Sequence, residues 1–478
     1  MTANLLRTPV HVVYGGADRY SADTPRKLGD IALKTLHAYA PNFADFARAI
    51  GLPGNEKLPT DPDCITKLDR QIGRSQTKAR EEQFTAWYAW TVYRKSIAKL
   101  EQNPVEDFRI DFEDGYGFRP DEEEDIDAIR AASELASAFK NETITPFCGF
   151  RIKSLAPETR KRGLRTLELF LTSFVDNCGE TFPENFVVTL PKITDKKQVR
   201  DLCDRLKKFE KKNKLSAGSI GVELMIETPQ AIFDRSGNIA LRSLVDAAKG
   251  RCTSAHFGAF DYTSALGIVS TQQHLDHPSC DLARQLMLAN LAPLGIRLSD
   301  SVTTRLPVTI NRKGRLTKTQ HRENHDSIYD GLGEHFANVT RSMQNGFYQS
   351  WDLHPNQLPA RFAAVYAFFI EAADSMSHRL NENFALSTKA TLTGNAFDDA
   401  ASAEGMLNFF RKGLGCGAFD GKEIKKMIAF SADELSSFSF AELAQLHVQK
   451  EKGGIAAARS EFKTLKFEIR NLRSETKP

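Results

Sequence analysis

Charged residues recur at the ends of short apolar runs along this 478-residue chain, and their types could do chemistry. The stretch FRIDFEDGYGFRP (108–120) ends an alternating run in Glu113 and Asp114, and a glycine follows directly. A salt bridge or a helix cap would explain any one such residue. A whole set indicates a shared site, because the carboxyl ends of parallel strands meet at one face of a barrel. Later runs end in Arg151 and Lys153, Lys192, Glu227, Asp261, Asp300, and Asp352 with His354.

Two carboxylates of this set suggest a cation site. Glu227 follows the apolar run LMI, and Asp261 follows HFGAF. In proteins Mg²⁺ is usually bound by one or two carboxylates, and water and substrate oxygens complete its coordination. The seven cysteines are scattered, so a soft metal is not expected. Arg151 could bind a substrate carboxylate or could hold Glu113 or Asp114 in a structural pair, and the residues alone leave both readings open.

Eight apolar runs are predicted to be strands, and the segments between them have helical periodicity. In the segment 125–140, Ile126, Ile129, Leu135 and Phe139 are predicted to lie near one face of a helix. Strands alternating with helices favour a (β/α)8 barrel, although a doubly wound open sheet would share the local pattern. The predicted strands lie within 10–16, 108–114, 147–154, 185–192, 220–228, 254–263, 295–301 and 348–355.

Some segments do not fit this repeat. Residues 35–107 are too long for one crossover and are predicted to be a helical insertion. Within 302–325, the sequence NRKG is predicted to be a turn between short strands. We therefore expect a barrel over 1–375, followed by a helical region over 376–478 that covers the site or mediates oligomerisation.

Composition and charge exclude several classes of protein. A formal net charge of +3 is too small to argue for a nucleic-acid partner. No apolar run approaches the roughly 20 residues that cross a bilayer, and the N-terminus lacks the architecture of a signal peptide. Scattered cysteines give no disulfide framework, so we expect a cytoplasmic protein that does not bind membranes.

Taken in chain order, the strand ends resemble the HpcH/HpaI aldolase and citrate lyase superfamily, nearest its citrate lyase beta subunit and malyl-CoA lyase branch. The resemblance covers roughly residues 8–372, and the chain is much longer than members of that family. It begins with a first strand that leads into a turn of small residues. The later matching elements are FEDG (112–115), FRIKS (150–154), LPK (190–192), IET (226–228), FG..D…LG (257–267) and HP.Q (354–357).

The resemblance implies a (β/α)8 barrel of the phosphoenolpyruvate-binding type that binds Mg²⁺, or alternatively Mn²⁺, through Glu227 and Asp261. It implies catalytic roles for Arg151, Glu113 and Asp114, with the two acids holding metal-bound water. Family members commonly assemble as trimers or hexamers, so a homo-oligomer is expected. The expected substrate-binding residues are Arg151, Lys192, Gly15, Gly16 and Asp352.

The implied reaction is Mg²⁺-dependent aldol or Claisen cleavage, or its reverse, of a 2-oxo acid aldol or a hydroxyacyl-CoA. Alternatives on the same barrel are thioester hydrolysis, phosphoenolpyruvate-type chemistry, or non-catalytic binding of a dicarboxylate. Aldolase-branch members use a histidine after the first strand. The turn here, GGADRYSADT (15–24), contains no histidine, so the general base stays open and could come from another subunit.

Overall fold

Eight parallel strands pair in chain order, and the first pairs with the last to close a barrel. The computed structural model describes residues 7–179, 181–390 and 400–452. Closure confirms the (β/α)8 barrel, since a doubly wound open sheet would leave two edge strands unpaired. The strands are β1 (His11–Gly16), β2 (Asp107–Asp111), β3 (Phe147–Arg151), β4 (Phe186–Leu190), β5 (Gly221–Ile226), β6 (Cys252–Phe257), β7 (Arg297–Val302) and β8 (Gln349–Asp352).

Alternate residues of each strand face opposite sides of the barrel wall. On β2, Phe108 and Ile110 belong to the apolar layer between the strands and the helices. Arg109 and Asp111 point to the other side, where they bond Glu223 and Arg151 across the barrel interior. At β2 the wall is therefore apolar outside and strongly polar inside.

Fourteen helices are described within or beginning in the barrel part of the chain. The predicted insertion at 35–107 is helical, and its Trp87, Trp90 and Tyr93 are buried in the core. The helices are α1 (Thr24–Tyr39), α2 (Phe43–Ala49), α3 (Pro62–Arg74), α4 (Gln76–Glu82), α5 (Phe84–Gln102), α6 (Asp121–Lys140), α7 (Arg160–Cys178), α8 (Lys196–Lys212), α9 (Pro229–Ile232), α10 (Leu241–Ala247), α11 (Ala259–Ala265), α12 (Pro278–Leu291), α13 (Lys318–Gln344) and α14 (Leu358–Ala390).

The helix α6 buries only part of the predicted face. Leu135 is buried and Phe139 packs against the core, as predicted. Ile126 and Ile129 are 66% and 47% exposed. The buried face is instead rich in alanine and includes Ala128, Ala131 and Ala132. Small side chains let a helix approach its neighbours closely, so the alanines, and not the isoleucines, pack against the barrel.

The segment around NRKG forms no strands, which corrects the prediction for 302–325. Residues 303–317 are irregular, and α13 begins at Lys318. Asn324 on α13 holds this loop, because its side chain accepts from the backbone N–H of Asn311 and donates to the carbonyl of the same residue. Side-chain hydrogen bonds thus replace the ladder that a hairpin would have supplied.

The described residues divide into two compact units: residues 9–368 form the first, and the described parts of 1–8 and 369–478 form the second. The second unit is helical as far as it is described, and its core includes Leu407, Phe410 and Phe430. Residues 391–399 and 453–478 of the predicted helical region lie outside the described residues. None of the described helices combines the length and apolar character that a membrane span needs. Besides the end of α14, the unit contains α15 (Ala400–Gly415), α16 (Gly421–Ile428), α17 (Ala432–Ser437) and α18 (Phe440–Lys452).

Candidate active site

Arg151 ends β3 directly beside Asp111, its register partner on β2. Its Nε and Nη2 donate to the two Asp111 oxygens at 2.7 and 2.6 Å. The same carboxylate accepts from the backbone N–H groups of Glu113 and Gly115 at 3.0 and 2.7 Å. A Cβ on Gly115 would lie 2.6 Å from Asp111 Oδ2, so only glycine allows this approach. One buried aspartate therefore fixes both the guanidinium and the glycine turn after β2.

Glu113 and Asp114 lie between two cationic side chains. Arg151 Nη1 is 3.1 Å from Glu113 Oε2 and 3.7 Å from Asp114 Oδ2. Lys192 Nζ lies 2.5 Å from Glu113 Oε1 and 3.1 Å from Asp114 Oδ2. Burial raises the pKa of Glu113, which the charge of Arg151 opposes. Although burial alone would lower it, the pKa of Lys192 is raised by neighbouring carboxylates, Glu113 first among them.

Glu227 lies just after β5 and is almost completely buried. Its Oε1 accepts from the backbone N–H of Lys192 at 2.5 Å. Lys192 presents this N–H from a left-handed backbone conformation with φ of 50°, which is uncommon for a residue with a side chain. A Cβ on Gly258 would lie 2.6 Å from Glu227 Cβ, so the chain after β6 can pass Glu227 only with glycine there.

Asp261 is carried by the first turn of α11, because β6 ends at Phe257, earlier than predicted. Its Oδ2 lies 3.7 Å from Lys192 Nζ, and its side chain is 45% exposed. The pKa of Glu227 is raised to about 8, chiefly by burial and also by the charge of Asp261, although Arg151 and Lys192 oppose the rise. The carboxyl groups of Glu113, Asp114, Glu227 and Asp261 thus lie around one lysine, Lys192.

The carboxylates present fit a hard divalent cation. Among the described residues, no group of three or more His, Cys, Asp or Glu side chains is close enough together to hold a metal ion. If Mg²⁺ binds here, Glu227 and Asp261 would be its two protein ligands, and water and substrate oxygens would complete its coordination. Both are oxygen ligands, which this ion prefers, and the charge of the ion would offset those of the two carboxylates.

The structure gives Gly15 and Gly16 a packing role at the end of β1. A Cβ on Gly15 would lie 2.6 Å from the ring of Phe108. A Cβ on Gly16 would lie 2.6 Å from the carbonyl oxygen of Gly115. The two glycines thus let β1 lie against β2 and its turn, which brings the backbone of β1 next to the carboxylate cluster.

Asp352 is at the end of β8 but faces away from these residues. Its oxygens lie 3.1 Å from His11 Nδ1, 2.8 Å from His335 Nε2 and 2.7 Å from Arg361 Nη2. His335 and Arg361 belong to α13 and α14, so this network lies between the strands and the helices. The structure does not bring Asp352 together with the other predicted site residues.

Several residues that lie beneath Arg151 were not predicted to belong to the site. The guanidinium lies 4.9 Å from the ring centroid of Tyr14, which stacks on Trp351 at 4.3 Å. This is the geometry of a cation–π contact. The Tyr14 hydroxyl donates to Glu223 Oε1 at 3.1 Å and lies 3.0 Å from His256 Nδ1.

Glu223 is the centre of this buried network. Arg109 donates to both of its oxygens, at 3.0 and 2.7 Å, and Thr189 and Ser254 donate at 2.8 and 2.6 Å. Although burial opposes it, the charge of Arg109 holds the pKa of Glu223 well below its usual range. The signal was present in the sequence, since Glu223 precedes Glu227 by four residues and strand residues an even number apart share a face.

Three solved structures similar to this chain are of two kinds of enzyme. The Haloferax volcanii malate synthase pyruvate/acetyl-CoA ternary complex has 15% identity and a TM-score of 0.38, covering 54% of this chain and 61% of that one. The lead(II) complex of the same enzyme has 13% identity and a TM-score of 0.41, covering 64% and 88%. The HpcH/HpaI aldolase from Desulfitobacterium hafniense DCB-2 has 12% identity and a TM-score of 0.30, covering 55% and 80%.

These likenesses are too weak to carry information about the activity. The chain also spans less than two thirds of the ternary-complex chain. No curated protein matches the sequence significantly. A family model matches residues 3–443, which is most of the chain. The chain therefore belongs to the family described as Domain of unknown function (DUF6986).

Proposed function

We propose that the barrel is a Mg²⁺-dependent carbon–carbon lyase that acts on a 2-oxo acid aldol or a hydroxyacyl-CoA. One observation carries the proposal. The buried carboxyl group of Glu227 lies at the carboxyl end of the barrel, near the charge of Asp261, and burial keeps its pKa raised even though Arg151 and Lys192 act against the rise. A divalent cation would offset the charges of the two carboxylates and would leave positions for the oxygens of a substrate.

Each residue of the cluster has a proposed role. Glu227 and Asp261 would hold Mg²⁺, which when bound supplies Lewis-acid stabilisation of negative charge on a substrate oxygen. Arg151 would add positive charge for a substrate carboxylate, held in place by Asp111 and by the ring of Tyr14 beneath it. Because Arg151 is buried, its charge would act strongly on a ligand that contacts it.

The surrounding carboxylates would orient water and the lysine. Lys192 reaches Glu113, Asp114 and Asp261 with one ammonium group, so it would stay protonated beside the substrate. Glu113 and Asp114 would bind water molecules around the cation. The motifs IET and LPK support the citrate lyase and malyl-CoA lyase branch as the finer proposal, within a homo-oligomer.

Calorimetric titration would test the proposal. Oxaloacetate, pyruvate and glyoxylate would be titrated into the protein with and without Mg²⁺, using wild type and Glu227→Gln. The matched control is Glu158→Gln, an exposed glutamate in the segment after β3. We expect Mg²⁺-dependent binding of a 2-oxo acid to wild type and the control, weakened at least about tenfold in Glu227→Gln.

The reaction itself would be assigned by its products. Acyl-CoA and aldol substrates that release a 2-oxo acid or an aldehyde would establish carbon–carbon cleavage, whereas a released thiol alone would establish thioester hydrolysis. Binding that is independent of Mg²⁺, or equal in wild type and Glu227→Gln, would contradict the proposed site. If neither the wild type nor the Glu158→Gln control binds a 2-oxo acid, the proposed substrate class is contradicted.

A further inference from the structure

Two aromatic rings lie beneath the charged cluster, and we call them the aromatic floor. The floor consists of Tyr14 and Trp351, whose rings stack with centroids 4.3 Å apart and planes 22° from parallel. Both residues are partly exposed, although they face the barrel interior. Arg109, Glu223 and His256, which form the network behind the floor, are all 0% exposed. The space that is open to solvent therefore ends at the two rings.

The accessible surface of the floor is apolar. The Tyr14 hydroxyl is turned into the network, where it contacts Glu223 and His256. Trp351 Nε1 is buried and has no hydrogen-bond partner among the described residues. Because the hydroxyl is engaged and Nε1 is buried, a ligand on the floor would chiefly contact ring carbon. Such a surface binds an apolar or aromatic group and leaves a charged group without partners.

The floor adjoins the residue that is proposed to bind the substrate. The Arg151 guanidinium lies 4.9 Å from the ring centroid of Tyr14 and 6.0 Å from that of Trp351. A carboxylate on Arg151 therefore places the rest of the ligand beside the rings. Arg151 already faces Asp111 and Glu113. It can take the carboxylate of a 2-oxo acid, whereas a second ligand carboxylate would be the fourth negative charge around one guanidinium.

The apolar surface continues along the end of β8. Asp352 faces the helices, whereas Trp351 faces the interior. Leu353 follows, and this large apolar residue is 49% exposed. Residues two apart in an extended chain point to the same side, so Leu353 extends the surface of Trp351 toward the mouth of the barrel. The site thus has charged side chains from β2 to β6 and an apolar surface from β8.

We propose that the aromatic floor and Leu353 together bind an apolar substituent of the substrate, and we call this surface the β8 subsite. The proposal rests on the proposed function, in which the 2-oxo acid group binds Arg151 and the cation. It narrows the substrate class to 2-oxo acids whose third carbon carries an aryl or alkyl group. A second carboxylate at that carbon would lie on ring carbon, where it would lose its hydration and gain no partner.

Three ligands that differ only at the third carbon test the proposal by calorimetric titration in the presence of Mg²⁺. Phenylpyruvate carries a phenyl group at this carbon, pyruvate carries only hydrogen, and oxaloacetate carries a carboxylate. We expect wild type to bind phenylpyruvate at least about tenfold more tightly than either of the others, because the β8 subsite removes the phenyl ring from water.

Substitutions in the subsite should change this preference. Leu353→Arg places a positive charge there, so oxaloacetate should bind more tightly than phenylpyruvate, and the exposed position should allow the variant to fold. The matched control is Leu282→Arg, at a leucine of α12 that is 52% exposed, and it should keep the wild-type preference. Trp351→Leu removes the ring but keeps an apolar side chain. It should lower the affinity for phenylpyruvate relative to pyruvate at least about threefold.

Equal affinities of wild type for phenylpyruvate and pyruvate would overturn the β8 subsite. A preference that stays at the wild-type value in both Leu353→Arg and Trp351→Leu would overturn it too. Titration without Mg²⁺ separates these failures from failure of the proposed function. Equal, Mg²⁺-dependent binding of all three ligands would support the proposed function and reject the subsite. A preference for phenylpyruvate that Trp351→Leu lowers but that needs no Mg²⁺ would support the subsite and reject the metal, and binding of none of the three would overturn both.

Discussion

Replacing Asp111 with asparagine tests whether this aspartate positions Arg151. The substitution keeps the size of the side chain and removes its charge. The Asp111 and Arg151 side chains are 0% and 3% exposed, so the remaining guanidinium charge stays buried without its bidentate partner. The new amide group would also direct N–H donors at either the guanidinium or the backbone N–H of Gly115.

The expected loss of stability is large. Removing one partner of a buried ion pair typically costs about 3–5 kcal/mol. The contact between Arg151 and Glu113 remains and reduces the loss toward the lower value. The matched control is Asp204→Asn, whose partner Lys249 lies 3.0 Å away with both side chains about half exposed. Such exposed pairs contribute little to stability, because water and salt screen the two charges.

Tryptophan fluorescence during urea unfolding measures this loss in the barrel alone. The three tryptophans, Trp87, Trp90 and Trp351, all lie within residues 9–368. We expect Asp111→Asn to unfold at a clearly lower urea concentration than Asp204→Asn. Adding Arg151→Met should restore part of the stability, because the unpaired buried charge is then removed. Equal midpoints for Asp111→Asn and Asp204→Asn would refute the reasoning.

Two further predictions concern the surroundings of the site and the network behind it. Gly258→Ala places a Cβ 2.6 Å from Glu227 Cβ, so Mg²⁺ binding measured by calorimetry should weaken, whereas Gly405→Ala, where no atom lies within 4 Å, should leave it unchanged. Burial lowers the pKa of His335 below 6.5, so the unfolded chain binds more protons than the folded one as pH falls through 6.5. The free energy of unfolding should therefore fall toward pH 5.5, by at most about 1.4 kcal/mol per pH unit, and His335→Gln should flatten that slope. An unchanged slope in His335→Gln would contradict the assignment.

The eight strands and their order could be predicted because each lies in a short segment of β-type residues between longer helical segments, and this pattern depends only on local sequence. The side of the barrel wall to which each side chain points could not be predicted in the same way. Asp352 ends its strand as predicted, yet Trp351 faces the barrel interior and Asp352 faces the helices. A position at a strand end fixes the height of a residue along the barrel. Whether its side chain faces the interior or the helices depends on whether it is an odd or an even number of residues from an inward-facing one.

The helix α6 shows a second limit of the sequence. Isoleucine and alanine stripes lie on different sides of this helix, and hydrophobicity favours the isoleucines. The structure buries the alanines, because close approach to neighbouring helices needs small side chains. The cluster of Glu113, Lys192 and Glu227 was predictable, since each residue lies within two positions of the carboxyl end of its strand. The role of Asp111 in holding Arg151 was not predictable, because this aspartate is one polar residue among several in the alternating stretch FRIDFED.

The buried network around Glu223 has a consequence for protein engineering. Arg151 is supported by Tyr14, whose hydroxyl bonds Glu223, and Glu223 is held in turn by Arg109. Transplanting the strand-end residues alone onto another barrel would move the charged side chains without the buried network that positions them. The smallest transferable part is therefore the strand-end residues together with the buried network of Tyr14, Glu223 and Arg109. A chimera of two homologous barrels should keep its site only if both sets of residues come from the same parent.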